Sequence, residues 1–168
     1  MTSTSSGAVF VADKATFNMY GGTISGNKAE LSGGAIGVQG VMNMSGGTIS
    51  GNHTKTAGGG IVIGNNTKKN IYGTLNMTGG TIANNEAGTT GGGISVSGKT
   101  TAKISGGTIK DNKAEGIGAG VSDNGYLTIS RNACITGNDV GLVSRDVVMK
   151  IAGNSLGKHN SGNPLVVT

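Results

Sequence analysis

The chain has no tryptophan, one proline, one cysteine, two phenylalanines and three tyrosines in 168 residues. So few aromatics provide no stacking platform for single-stranded nucleic acid. The lone Cys134 excludes a disulfide framework within the chain and says nothing about redox compartment. No apolar run approaches the roughly 20 residues that cross a bilayer as a helix. Charged residues make up 12% of the chain, with 13 Lys and Arg against 8 Asp and Glu. The resulting charge of +5 is scattered, and its densest pair, Lys68 and Lys69, lies in a polar stretch, which argues against a nucleic-acid partner. The opening MTSTSSGAVFV lacks the charged and long apolar regions of a signal peptide. Repeating sequence begins almost at once with no capping segment before it. The expectation is a piece of a longer protein whose export signal lies elsewhere.

What the chain has is glycine, 34 of them, and a repeated phrase. GGTISGN occurs at Gly21 to Asn27 and identically at Gly46 to Asn52. It returns as GGTIANN at Gly79, GGTIKDN at Gly106 and a worn ACITGN at Ala133. A compact globular core gives each segment different neighbours, whereas a solenoid stacks each unit on a near-copy of itself. The glycines show no G-X-Y period, and Ile, Val, Leu and Met recur in register with them, so neither collagen nor disorder fits.

Aligned on their isoleucines, Ile24, Ile49, Ile82, Ile109 and Ile135, the copies lie 25, 33, 27 and 26 residues apart. The long interval holds a polar stretch, Gly64 to Asn70, which reads as a loop insertion. Without it the period is about 26, a solenoid length. Two further apolar runs recur in each period. The first is Val9/Val11, Ile36/Val38, Ile61/Ile63 and Ile94/Val96, with Val121 as a weaker copy; the second is Phe17/Met19, Met42/Met44, Leu75/Met77, Ala102/Ile104 and Leu127/Ile129. Spacing by two is strand periodicity, with one face inward and one wet.

Three short strands per period, joined by glycine corners, predict an all-β, right-handed parallel β-helix. About six coils at about 4.8 Å each give a rod roughly 29 Å long. The sixth coil is degenerate, with Val147 to Ile151 as its second run. Residues 1–168 form one domain, of which 138–168 are this last coil and a tail. The glycine doublets and triplets at Gly33, Gly58 and Gly91 suit corners that need positive φ or exclude a side chain. Alternation points Thr23, Thr48, Thr81 and Thr108 outward, along with a column of Asn18, Asn43, Asn76, Lys103 and Thr128. Asn27, Asn52, Asn85, Asn112 and Asn138 each follow the isoleucine by three residues, at a turn. An asparagine side chain donates and accepts, so stacked copies can bond along the axis and satisfy corner backbone groups.

The tetrapeptides GGAI at Gly33 and GGGI at Gly58 and Gly91 recur with an apolar-x-x-Asn element. Together they resemble the right-handed β-helix repeats of bacterial surface adhesins and polymorphic outer-membrane proteins, which pair GGA[ILV] with FxxN. The likeness runs from about Gly7 to Asn138, with Ile24, Ile49, Ile82, Ile109 and Ile135 where that family has Phe. It implies a secreted or surface-exposed bacterial protein with an adhesive or structural role, and carries over no binding residue.

The same fold hosts polysaccharide lyases and hydrolases, so the carboxylates matter. Glycoside hydrolysis needs two of them facing each other across a sugar. Glu30, Glu86 and Glu115 are expected near one edge of the rod, as a loose acidic line of solvated loop charges. Asp111 and Glu115 form the one tight acidic pair, with Lys113 and Arg131 as basic neighbours. His53 and His159 have no second ligand at metal spacing, and Gly118-Ala119-Gly120 with Asp123 misses the calcium-binding GGxGxD spacing. No P-loop, GxSxG or dinucleotide fingerprint is present.

These residues point to a non-enzymatic repeat segment without metal or cofactor, extracellular or on the cell surface. Its partners would be a host glycan or protein surface, and flanking domains or further copies end to end. Nucleic acid and direct membrane insertion are not expected. The alternatives are a carbohydrate-acting β-helix enzyme and a module that binds glycan or ice through its hydroxyl columns, Thr23, Thr48, Thr81 and Thr108 beside Ser25 and Ser50.

Overall fold

A run of three or four residues with alternating apolar side chains turns them all to one face, and here that face is buried by stacking on its counterpart in the next repeat. The computed structural model describes residues 7–130 and 132–140, with the strands Met149–Ile151, Asn154–Leu156 and Val166–Val167 beyond them. The fold is a right-handed parallel β-solenoid. Its first sheet stacks Val9–Val11, Ile36–Val38, Ile61–Ile63, Ile94–Val96 and Val121–Asp123. The second stacks Thr16–Met19, Val41–Met44, Thr74–Met77, Thr101–Ile104 and Tyr126–Ile129. Strands Thr23–Ser25, Thr48–Ser50, Thr81–Ala83, Gly107–Lys110 and Ala133–Thr136 form the third.

The expectation of three strands per coil needs correction, because there are four. Lys28–Ala29, His53–Thr54, Glu86–Ala87, Lys113–Ala114 and Asp139–Val140 build a narrow fourth sheet. Each inner coil turns only one small side chain inward there, Thr54, Ala87 or Ala114, and all three are fully buried. A two-residue strand has no alternation to reveal it.

Among the described residues five coils are complete, against the expected six, giving a rod of about 24 Å at the usual strand spacing. Of the expected sixth-coil strand, Val147 and Val148 lie outside the described residues, and Met149–Ile151 pairs antiparallel with Asn154–Leu156. The second sheet takes its sixth strand from Val166–Val167, parallel, with Thr128 opposite Val166 and Ile129 opposite Val167. Two β-branched residues fit an open strand edge as well as the more apolar run upstream.

The isoleucine register holds through every coil, Ile24 on Ile49 on Ile82 on Ile109 on Ile135. The last four are fully buried, and Ile24, in the first coil, is partly covered. The polar insertion is an antiparallel hairpin, Asn65–Asn66 against Ile71–Tyr72, turned by a short 3-10 segment at Thr67–Lys69. It closes where the Gly73 N–H donates to the Gly64 carbonyl at 3.1 Å, and the stack resumes in register with Thr74 on Val41.

The glycine corners are where consecutive backbones touch. A Cβ on Gly59 would lie 2.4 Å from the Gly92 carbonyl oxygen, and one on Gly92 would lie 2.3 Å from that of Lys113. No side chain fits in that gap, which explains glycine there in coil after coil.

Candidate binding surfaces

The isoleucine and asparagine of the phrase face inward or serve the backbone, and its threonine faces out. Asn52, Asn85 and Asn112 are buried in a continuous ladder at the turn between the third and fourth sheets. Asn27 Nδ2 donates to Asn52 Oδ1 at 2.9 Å, Asn52 Nδ2 to Asn85 Oδ1 at 2.9 Å, Asn85 Nδ2 to Asn112 Oδ1 at 3.0 Å, and Asn112 Nδ2 to Asn138 Oδ1 at 2.9 Å. Each acceptor oxygen also takes the backbone N–H of the preceding asparagine. Each amide from Asn52 onward also donates to an isoleucine carbonyl, Ile24, Ile49, Ile82 and Ile109 in turn. The side chain thus fills all four of its hydrogen-bonding sites and closes a corner that the sheets leave open. These asparagines link each coil to the next.

The phrase threonines and most of the charged residues face out. On the third sheet Thr23, Thr48, Thr81 and Thr108 stand in one register column, continued by the exposed Cys134. Beside them runs Ser25, Ser50, Ala83, Lys110 and Thr136, of which Ala83 is buried. The paired hydroxyls are therefore regular only in the first two coils, and Lys110 carries charge onto the face, 3.6 Å from Asp111. On the second sheet the outward column is Asn18, Asn43, Asn76, Lys103 and Thr128, as the alternation requires. Its asparagines form a second ladder, on the surface: Asn43 Nδ2 donates to Asn18 Oδ1 at 2.8 Å and Asn76 Nδ2 to Asn43 Oδ1 at 2.9 Å.

The acidic line expected from Glu30, Glu86 and Glu115 does not form. Glu86 lies on the fourth sheet, in register with His53 and Lys113, in a column that runs Lys28, His53, Glu86, Lys113, Asp139. Glu30 and Glu115 follow that sheet, beyond Ala29 and Ala114. The column mixes charges of both signs: Glu86 Oε2 is 3.7 Å from His53 Nδ1, its Oε1 is 3.9 Å from Lys113 Nζ, and Glu30 pairs with Lys55 one coil on. Like charges stacked at strand spacing repel, so mixed signs stabilise the stack. The sequence does carry the signal, since Lys28, His53, Glu86, Lys113 and Asp139 repeat at the spacing of the isoleucines.

The expected acidic pair of Asp111 and Glu115 has other neighbours than expected. Both side chains are exposed, Lys113 pairs with Glu86, and the cation beside Asp111 is Lys110. Arg131 and His159 lie outside the described residues. Asp111 instead has a backbone task, because it sits at φ 53°, where the equivalent residues are Gly26, Gly51, Asn84 and Gly137. Left-handed backbone favours glycine and tolerates Asn and Asp. Asp111→Gly should therefore leave thermal stability unchanged or raise it, while Asp111→Val should cost about 1–2 kcal/mol in denaturant melts. Equal stability of the two variants would contradict this assignment.

Asp123 is a buried carboxylate that periodicity misses. It takes the inward position of Val38, Ile63 and Val96, and its Oδ1 accepts the Gly125 N–H at 2.8 Å, tightening the turn of the last coil. Among the described residues no three His, Cys, Asp or Glu side chains converge as metal ligands would, and no helix is long and apolar enough to cross a membrane. Comparison of the chain with protein-family models, with curated proteins and with solved structures finds no match.

Proposed function

We propose that this chain is a non-enzymatic repeat segment of a secreted or cell-surface bacterial protein, acting as an adhesive or structural stalk. The observation that carries the reading is the division of labour along each coil. The residues that repeat are corner glycines, buried isoleucines and ladder asparagines, all occupied in stacking. The positions whose charge changes from coil to coil, Lys28, His53, Glu86 and Lys113 among them, lie on the surface. Glu30, Glu86 and Asp111 lie beside the surface cations Lys55, Lys113 and Lys110. Two carboxylates opposed across a bound sugar, as glycosidic cleavage requires, are a different arrangement. Host glycan or protein surfaces are the partners that such outward faces suit, with further coils or domains at the rod's ends.

The test pairs adherence of the immobilised chain to host cells with incubation on pectin- and alginate-like polymers. Saturable adherence without product release is the expected result. Product release that is abolished in Asp111→Ala would overturn the non-enzymatic reading, and adherence to nothing would leave only the stalk. One observation favours a second reading, an ice-facing surface: Thr23/Ser25 and Thr48/Ser50 stack in register on one flat sheet. It requires thermal hysteresis that disappears in the double variant Thr48→Ala, Thr81→Ala.

A further inference from the structure

The middle residue of each strand of the first sheet points away from the core. In order these are Phe10, Gly37, Val62, Ser95 and Ser122, of which Phe10 is exposed and Val62 partly exposed, while Ser95 and Ser122 are covered. Gly37 is the one member without a side chain, so the column has a notch between the Phe10 ring and Val62. The notch opens into a cleft of about 390 Å³, near the lower end of the usual range for small-ligand sites. Ser32 lines it from the corner loop, and Gln39 and Ser97 line it from the residues that follow the strands of the second and fourth coils. Gly64, from which the hairpin departs, borders it as well. The hairpin is tied to the fourth coil by Lys99, whose Nζ lies 5.8 Å from the centre of the Tyr72 ring.

We infer that this cleft is a binding site for a neutral saccharide residue, an inference that rests on the adhesive reading and names its ligand class. The chemistry of the lining carries it. Phe10 is one of only five aromatics in the chain, and it is 54% exposed where most large apolar side chains are buried. An exposed ring beside a notch is a surface for the C–H face of a pyranose. Among the described residues the Gln39 amide and the Ser32 and Ser97 hydroxyls make no side-chain hydrogen bond, and they are available to sugar hydroxyls. Among the described residues no charged side chain lines the cleft. Uronic and sialic acids would lose hydration without gaining a cation, and amino sugars without gaining an anion.

The experiment is a binding screen of the full chain against neutral, acidic and amino-sugar oligosaccharides, repeated with Phe10→Ala and Gly37→Val. Neutral glycans should bind, and Phe10→Ala should weaken them by about tenfold or more, as loss of an aromatic anchor does. Gly37→Val puts into the notch the side chain that Val62 carries in the next coil, and it should abolish binding with an unchanged circular dichroism spectrum and melt. Should Gly37→Val fail to fold, Phe10→Ala, an exposed position in the first coil, decides alone. Undiminished binding by Phe10→Ala, preference for acidic glycans, or no glycan bound by the parent would each overturn the inference. Cell adherence by a chain that binds no glycan sinks the cleft and leaves the adhesive reading standing. Glycan binding lost in Thr48→Ala instead would place the site on the hydroxyl face and not in the cleft.

Discussion

Ile82→Asp is expected to remove most of the stability of the solenoid. Ile82 lies between Ile49 and Ile109 in the third sheet, all three fully buried, with a complete coil on either side. Burying an isoleucine is worth about 1.5–3 kcal/mol, and truncating it to alanine costs about 2–5 kcal/mol. Aspartate loses that packing and adds a carboxylate to a column that contains only isoleucines and offers it no cation. An unpaired buried charge belongs to the small class of substitutions that cost more than about 4 kcal/mol, against a typical total of about 5–15 kcal/mol. The chain should express in inclusion bodies or show no cooperative melt. Asn18→Ala is the matched control, on an outward column at the edge coil. It removes one surface hydrogen bond, that from Asn43, and should cost about 1 kcal/mol or less in the same denaturant titration. Equal costs for the two variants would mean that the inward and outward faces have been exchanged.

That contrast shows how far the sequence could be read. The register of three sheets is legible because Ile24, Ile49, Ile82, Ile109 and Ile135 recur inside near-identical phrases. Beside them, pairs such as Met42/Met44 and Leu75/Met77 state which face is inward. The fourth sheet is harder to read, since one inward residue per coil, such as Ala87 or Thr54, gives no apolar alternation to mark a strand. The end of the rod is not legible either. Val147 to Ile151 and Val166–Val167 are equally good strands locally, and only the open edge of Tyr126–Ile129 selects the second. The surface divides the same way. The Thr and Asn columns follow from alternation, whereas the acidic line fails because Glu86 directly follows its ladder asparagine and Glu30 and Glu115 do not. That offset puts Glu86 on a strand, among lysines and a histidine. The Gly37 notch hides for a related reason: glycine at a corner and glycine on an outward strand position look alike until the coils are stacked.

Asn85→Ala is expected to cost nearly as much as the buried charge, for a different reason. Asn85 is the middle of five rungs and is fully buried. Its Oδ1 accepts from the Asn52 backbone N–H at 3.1 Å and from Asn52 Nδ2 at 2.9 Å, and its Nδ2 donates to the Ile49 carbonyl at 3.0 Å and to Asn112 Oδ1 at 3.0 Å. Alanine removes all four bonds at once. Asn52 keeps other acceptors for its amide, in Ile24 and Ser50, and Asn112 Oδ1 keeps the Asn85 backbone N–H. The Asn52 backbone N–H has no such alternative, and neither has the side of the Ile49 carbonyl that faced the amide. Each buried group left unmade costs about 1–3 kcal/mol, so the variant should lose about 3–5 kcal/mol, with the space left by the side chain included. Asn85→Asp should be worse than Asn85→Ala, because a carboxylate accepts where Ile49 and Asn112 require a donor. Asn27→Ala, at the first rung, loses only the bonds from its amide to Asn52 Oδ1 and to the Ser25 carbonyl, in a partly exposed coil. It should cost about 1 kcal/mol. Denaturant titrations of Asn27→Ala, Asn85→Ala and Asn85→Asp should therefore rank in that order. If Asn27→Ala costs as much as Asn85→Ala, burial is not what makes the ladder strong. If Asn85→Asp matches the parent, the ladder does not depend on the amide as a donor.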